Sequence, residues 1–188
     1  MKTYTADFGQ YDNKWEGADD RYWEENDPLY TRGLTPKMRA KRYKMSVLYQ
    51  RVIWLDASIE VLDRTGLEGQ LRLGKFDLVL LPHPGRYEVA SEFRVVRQSN
   101  LDDPAAIDRA TRLYHGDPNY RTYCGGVFAY RDTVDTRRFM DLWWALVQAT
   151  SVRDQLSLPF ALAVSQVKYR VADIDLWDNP YFKVHHHI

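Results

Sequence analysis

Cysteine, long hydrophobic runs and a signal-like start are scarce or missing in this sequence. Cys124 is the one cysteine among 188 residues, so an internal disulfide is excluded and a reducing compartment is the simpler expectation. No apolar run is long enough to span a bilayer, and the first residues lack the hydrophobic stretch of a signal peptide. We therefore expect a cytoplasmic protein without a membrane span.

An excess of charge is missing as well, because 26 basic and 26 acidic residues give a formal net charge of zero. This balance argues against strong attraction of the whole molecule to nucleic acid or to an anionic membrane. The sequence also has no glycine-rich phosphate loop, no nucleophile elbow and no zinc-type Cys/His spacing. P-loop enzymes, α/β-hydrolases and zinc fingers are thereby excluded.

The composition that remains is that of a globular protein, with 45% hydrophobic and 28% charged residues. A chain of this length predicts one domain, residues 1–188, around a single sizeable core. Aromatic residues reach 14% and include 6 Trp and 13 Tyr. Packing in the core is their more ordinary role, and stacking on a sugar or a nucleotide is the alternative.

The run Val52–Leu55, which stops on Asp56, is the most informative local feature. A continuous apolar run of this kind is typical of a strand buried on both faces of a parallel sheet. Ligands of open α/β sheets bind beyond the carboxyl ends of such strands. Asp56 and Ser58 therefore predict a site for a divalent cation or a ribose hydroxyl. The alternative is that Asp56 caps the following turn.

Strands and helices are predicted to alternate along the chain, which is typical of an α/β domain. The expected strands are 3–8, 52–55, 76–81, 123–130 and 167–174. The expected helices are 36–48, 87–97, 104–114, 136–149 and one capped by Ser151 that begins at 152. Residues 10–33 are predicted to form a long loop that contains at most a short strand. Gly125 and Gly126 predict a bulge or a close approach of the backbone to a ligand.

Three polar segments are further candidates for a site. The helix from Lys37 to Lys44 is basic. It is either a solvated surface or the source of a cation that reaches a diphosphate. Lys44 is the basic residue nearest the Asp56 strand. The Arg153-Asp154-Gln155 group either binds sugar hydroxyls or places an acid favourably in a first helical turn. The run His185 to His187 is a tag remnant, a disordered end, or the source of an imidazole ligand for a metal at Asp56.

Five ordered blocks resemble a glycosyltransferase-like family first described as a domain of unknown function, with plant mucilage- and turgor-related members and many bacterial ones. The blocks are Tyr4-Thr5-Ala6-Asp7-Phe8-Gly9-Gln10-Tyr11-Asp12, Ala40-Lys41-Arg42-Tyr43-Lys44, Val52 to Ser58, His83-Pro84 with Arg86-Tyr87-Glu88-Val89-Ala90, and Gly126-Val127 with Arg131, Trp143-Trp144 and Ser151 with Arg153-Asp154-Gln155-Leu156-Ser157. They span nearly the whole chain.

The resemblance implies a GT-A type fold, which is a Rossmann-like α/β domain with a mostly parallel central sheet flanked by helices. It also implies roles for individual residues. Asp56 and Ser58 would hold the metal and the diphosphate, with His185 or His187 as a further ligand. Gly9 and Tyr11 would lie beside the nucleotide base, Lys44 near the diphosphate, and Gly125 and Gly126 near the donor sugar. Asp154 and Gln155, with the adjacent Arg153, would stand at the reaction centre.

The function implied is transfer of a sugar from a nucleotide diphosphate, a UDP-sugar first of all, to a hydroxyl-bearing acceptor such as a glycan, with Mn²⁺ or Mg²⁺ as cofactor. A catalytically silent nucleotide-sugar or carbohydrate-binding domain is the alternative, because the segment before the basic helix is short and only Asp19–Trp23 stands where the family has a second strand. A phage-type DNA-base glycosyltransferase is a further alternative. The basic helix favours nucleic acid as a partner, and the neutral net charge disfavours it.

Overall fold

A computed structural model describes residues 1–9, 17–115, 117 and 120–185. The strands are β1 (Lys2–Ala6), β2 (Asp20–Tyr22), β3 (Arg51–Leu55), β4 (Ile59–Val61), β5 (Leu78–Pro82), β6 (Tyr123–Arg131), β7 (Tyr169–Val171) and β8 (Phe182–Val184). The α-helices are α1 (Pro36–Lys44), α2 (Arg64–Gln70), α3 (Val89–Gln98), α4 (Pro104–Arg112), α5 (Val134–Ala149) and α6 (Leu158–Ser165). None of these helices is long and apolar enough to cross a membrane.

The central sheet has six strands in the order β2-β1-β3-β6-β5-β7. Five strands run in the same direction and β6 runs against them, pairing with β3 on one side and β5 on the other. The start of β6 therefore lies at the carboxyl ends of β3 and β5. This arrangement confirms the predicted mostly parallel α/β sheet and adds an antiparallel strand beside the predicted site.

β3 is buried on both faces, as its apolar run predicts. Val52 and Trp54 pack into a cluster on one face of the sheet, and Ile53 and Leu55 pack into a second cluster on the other. Each of these four side chains is at most 1% exposed. Full burial of one large apolar side chain contributes about 1.5–3 kcal/mol to folding. The strand is thus a rigid support for whatever follows Leu55.

The α1 helix places Lys41 and Lys44 at the carboxyl edge of the sheet. The Thr35 hydroxyl caps its start by accepting a hydrogen bond from the Met38 amide, and Pro36 occupies the first turn. Basic residues in the last turn suit the negative end of the helix dipole. The helix ends at Lys44, earlier than the predicted 48. Lys41 and Lys44 are three residues apart and so share one helix face.

The predicted helix that begins at 152 under a Ser151 cap is wrong. Residues Asp154–Leu156 form a 3₁₀ turn, and α6 begins only at Leu158. Proline fits the first turn of a helix but not its interior, so Pro159 fixes the later start. The Ser151 hydroxyl instead donates to Asp102 Oδ2 at 2.5 Å.

The antiparallel ribbon of β4 and β8 and the helix α2 are structures that the sequence did not predict. Each ribbon strand is three residues long, which is too short for an alternating pattern to show. Two glycines within α2 weaken its helical signal. The bulge expected from Gly125 and Gly126 is present as a register shift between β5 and β6.

Candidate functional site

A cavity of about 490 Å³ opens at the carboxyl edge of the sheet, beside Asp56. This volume lies within the range of small-molecule sites, and its place is where open α/β sheets bind ligands. The lining comes from the end of β1, from α1, from the turn after β3, from the start of β6, from the segment around the 3₁₀ turn and from the tail. The residues are Ala6, Asp7, Phe8, Pro36, Lys37, Ala40, Lys41, Lys44, Trp54, Asp56, Ala57, Ser58, Ile59, Cys124, Gly125, Gly126, Val152, Arg153, Asp154, Gln155, Leu176 and Val184.

Four charged side chains form a continuous cluster in this cavity. Lys44 Nζ lies 2.8 Å from Asp56 Oδ1 and 2.9 Å from Asp154 Oδ2. Lys41 Nζ lies 2.7 Å from Asp154 Oδ1. The chain of contacts is therefore Lys41–Asp154–Lys44–Asp56, which we call the charge cluster. Lys44 and Asp154 are buried, whereas the Asp56 side chain is 39% exposed and faces the cavity.

The charge cluster sets the protonation states of its buried members. Burial raises the pKa of Asp154, but Lys41 and Lys44 outweigh this effect and hold the pKa well below its usual range. Burial lowers the pKa of Lys44, but Asp154 and Asp56 raise it above its ordinary value. Burial, with the charge of Lys44, leaves the pKa of Lys41 lowered despite Asp154. Asp154 is thus a weak base that already has an ammonium on each oxygen.

Asp56 is fixed in orientation from two sides. Its Oδ1 accepts a hydrogen bond of 2.9 Å from the Trp54 indole and contacts Lys44. Its backbone amide donates to the Gly126 carbonyl at 2.8 Å. The side chain therefore faces the cavity. The contact of Asp56 with the following turn is made by its backbone carbonyl, which accepts a hydrogen bond from the Ile59 amide. This geometry favours the site interpretation over the capping one.

The two glycines of β6 leave room for the acids of the cluster. A Cβ on Gly126 would lie 3.2 Å from Asp56 Oδ2, and one on Gly125 would lie 3.5 Å from Asp154 Oδ2. The first distance is tighter than ordinary packing, so glycine at 126 permits the position of Asp56. Nearby Cys124 is buried, and burial raises the pKa of its thiol to about 11. Burial therefore disfavours the thiolate form of Cys124.

The structure brings most of the predicted site residues together and separates a few. Arg153, Gln155 and Ser58 line the cavity with the charge cluster and the glycines. Gly9 is outside the lining, and its amide donates to Glu24 Oε1 at 2.8 Å. Tyr11 and His187 lie outside the described residues. The roles assigned to all of these residues stay predictions.

Sequence reasoning missed the part that Lys41 and Trp54 play in the site. Lys41 appeared only as one of several charges in a basic helix, and Trp54 only as a residue of a buried run. The three-residue spacing of Lys41 and Lys44, and the two-residue spacing of Trp54 and Asp56, are the signals that could have found them.

The residues predicted to bind a metal do not form a metal site within the described part of the chain. His185 Nε2 lies 2.7 Å from Glu60 Oε2 in the β4–β8 ribbon. Over the same residues, no group of three or more His, Cys, Asp and Glu side chains is arranged to hold a metal ion. Asp56 and Ser58 would offer two carboxylate oxygens and one hydroxyl, and one of the carboxylate oxygens already contacts Lys44. The donor set does not fit a divalent cation.

Comparison with known proteins gives similarity in structure alone. No family model and no curated protein matches the chain. Among solved structures, the WbbM bifunctional glycosyltransferase in its apo form is similar, with a TM-score of 0.52 and 10% identity over 93% of this chain and 38% of that one. The chain therefore spans well under half of the length of WbbM.

Two more distant structures are also glycosyltransferases by description. They are the galactosyltransferase LgtC in complex with donor and acceptor sugar analogs (TM-score 0.37, 12% identity, 82% of this chain, 53% of that one) and mouse xyloside xylosyltransferase 1 in its apo form (TM-score 0.36, 14% identity, 73% and 49%). The likeness to WbbM confirms the predicted fold class, a GT-A-like α/β fold. The family that the sequence blocks resemble is matched by no family model and stays a prediction.

Proposed function

We propose that this chain is a glycosyltransferase domain that moves a sugar from a nucleotide diphosphate to the hydroxyl of an acceptor. One observation carries the proposal: the ammonium groups of Lys41 and Lys44 converge on Asp154, with Lys44 also on Asp56, in a cavity at the carboxyl end of β3. A GT-A-like fold around that cavity supports it. The family resemblance adds a UDP-sugar as the donor and a glycan as the acceptor.

The lysines act on the leaving group. In the reaction the bond between the anomeric carbon and the diphosphate oxygen breaks, and its electrons remain on the diphosphate. The acceptor oxygen bonds to the anomeric carbon and passes its proton to water. Cations that are already in place stabilise the charge that develops on the diphosphate, at no cost of rearrangement. Lys44 is the better placed of the two, because Asp56 and Asp154 orient its ammonium.

Asp154 serves this reaction by positioning the lysines rather than by taking the acceptor proton. Both of its oxygens are held by ammonium groups, and they keep its pKa low. A base of low pKa is poorly matched to proton abstraction near neutral pH. Gln155 and Arg153 line the cavity next to it and would contact sugar hydroxyls or phosphate oxygens.

A catalytically silent binding domain is the second candidate. The feature that favours it is Asp154, because the acid nearest the reaction centre is committed to Lys41 and Lys44 and is not available as a base. A DNA-base glycosyltransferase has less support. Lys41 and Lys44 lie inside the cavity rather than on an exposed basic surface, and the neutral net charge disfavours attraction to nucleic acid.

Nucleotide-sugar binding and turnover test the proposal together. A ligand that binds only the native state raises the melting temperature by mass action, so a thermal-shift panel of nucleotide sugars identifies the donor. With that donor, sugar transfer and donor hydrolysis are then measured. We expect both activities in the wild type and in Lys168→Met, whose exposed side chain is a matched control, and loss of both in Lys44→Met. Binding without turnover over long incubation supports the silent alternative.

A further inference from the structure

The carboxylate that would begin a metal site is already paired with a protein cation. Lys44 Nζ lies 2.8 Å from Asp56 Oδ1, and the Trp54 indole donates to the same oxygen. A dication on that oxygen would stand beside the ammonium and be repelled by it. Lys44 cannot turn away cheaply, because its side chain is only 3% exposed and it also holds buried Asp154.

The cavity attracts an anion without help from a metal. Its basic lining residues are Lys37, Lys41, Lys44 and Arg153. Three acidic residues accompany these four basic ones among the lining residues described, so the lining carries an excess of one positive charge. Two of the acids, Asp56 and Asp154, hold ammonium groups at the wall of the cavity.

The predicted imidazole ligand that the structure describes, His185, is engaged elsewhere. The His185 imidazole lies 2.7 Å from Glu60 in the β4–β8 ribbon, where it ties the two strands together. Its backbone amide donates to the Ser58 carbonyl at 2.9 Å, so the main chain of His185 contacts the turn after Asp56.

We infer that Lys41 and Lys44 take the place of a divalent cation in this site, so that the chain binds the diphosphate of its donor independently of metal. The inference rests on the proposed function. The two ammonium groups donate hydrogen bonds to the diphosphate oxygens, and they keep that contact as the sugar–oxygen bond breaks and the electron pair stays on the leaving group. Asp154 positions both lysines, and Asp56 positions Lys44.

Calorimetric titration with two probes, inorganic pyrophosphate and UDP, tests the inference. We expect each probe to bind in excess EDTA at least as tightly as in excess Mn²⁺, because the site gains nothing from the ion and Mn²⁺ complexes part of the free probe. Lys41→Met should weaken binding by about tenfold to a hundredfold in both buffers, the loss expected for one hydrogen bond between charged groups. Lys168→Met should bind as the wild type does. Because Lys41 lies at the outer end of the charge cluster, its variant leaves the Lys44–Asp154 pair intact, and a thermal melt verifies that it folds.

Asp56→Asn distinguishes a metal-ligand role of Asp56 from a role in orienting Lys44, because the two roles predict opposite changes in pyrophosphate binding. If Asp56 is a metal ligand, the change weakens pyrophosphate binding in Mn²⁺. If Asp56 only orients and partly neutralises Lys44, the amide keeps the hydrogen-bond acceptor, removes a competing negative charge and leaves binding equal or tighter.

The possible results distinguish the inference from the proposed function. Binding that disappears in EDTA and returns with Mn²⁺ overturns the metal-independent site and leaves a glycosyltransferase standing. Failure of both probes to bind in either buffer, together with no hit in the nucleotide-sugar panel, overturns the proposed function and the inference with it.

Discussion

Asp56 is the residue that positions Lys44 at the edge of the cavity. It faces the cavity, accepts from Trp54 and orients Lys44. We expect Asp56→Ala to reduce sugar transfer by about a hundredfold, because Lys44 loses one of the two carboxylates that orient its ammonium and a misplaced group costs about that much in rate. Transfer of radiolabelled sugar from the donor measures the loss. Asp173→Ala changes an exposed acid and is the matched control. An Asp56→Ala protein that remains fully active would refute the assignment of the site.

The two buried partners of the cluster also predict how stability changes with pH. Asp154 has a lowered pKa when folded, so its contribution is present above the unfolded value of about 3.9 and disappears as the pH falls toward the folded value. Lys44 has a raised pKa when folded, so its contribution is present below the unfolded value of about 10.4 and disappears as the pH rises through the folded value. The contribution of these two groups to the free energy of unfolding should therefore stay constant across neutral pH.

The measurement is the free energy of urea unfolding at several pH values between neutral and about 3, for the wild type and for Asp154→Asn. The wild type should lose more stability over this acid range than the variant, which has no carboxyl to protonate at this position. Equal losses would show that Asp154 does not contribute to the acid sensitivity of the fold.

At the scale of elements, the start of α1 determines where its lysines point. Thr35→Ala removes the hydroxyl that caps the Met38 amide, and we expect a loss of about 1 kcal/mol in the free energy of unfolding. Thr65→Ala is the control, because Thr65 is exposed within α2, where alanine is the better helix former. Urea denaturation compares the two. A Thr35→Ala protein as stable as the wild type would mean that the cap contributes nothing.

Elements whose signal is local were predictable, and contacts across the chain were not. Four consecutive apolar residues predict β3, and Thr35-Pro36 predicts the start of α1. The helix expected at 152 is absent because Pro159 would stand in its interior, whereas it fits the first turn of a helix that begins at Leu158. In the site, the sequence predicts Asp56, Lys44 and Asp154 one by one, but Lys44 and Asp154 are 110 residues apart. No pattern in one sequence shows that the ammonium of Lys44 contacts both Asp154 and Asp56.

The whole molecule is organised around the sheet and the 3₁₀ turn. The clusters on the two faces of the sheet share its strands, and a third cluster packs around α3 and α4. The turn links this third cluster to the sheet. The Trp143 indole donates to the Asp154 carbonyl at 3.0 Å, and the Tyr114 hydroxyl donates to the Leu156 carbonyl at 2.6 Å. Because the turn also carries Asp154, the charge cluster depends on both parts of the core.

We propose on this basis that residues 1–188 fold as one cooperative domain. Buried Trp54 and Trp143 report on the sheet cluster by fluorescence, while far-UV circular dichroism reports on all helices. In urea the two transitions should coincide, as two-state unfolding requires. Trp177→Phe removes an exposed indole and should leave the fluorescence midpoint unchanged. An early loss of helical signal with the tryptophans still buried would show instead that the part around α3 and α4 unfolds as a separate unit.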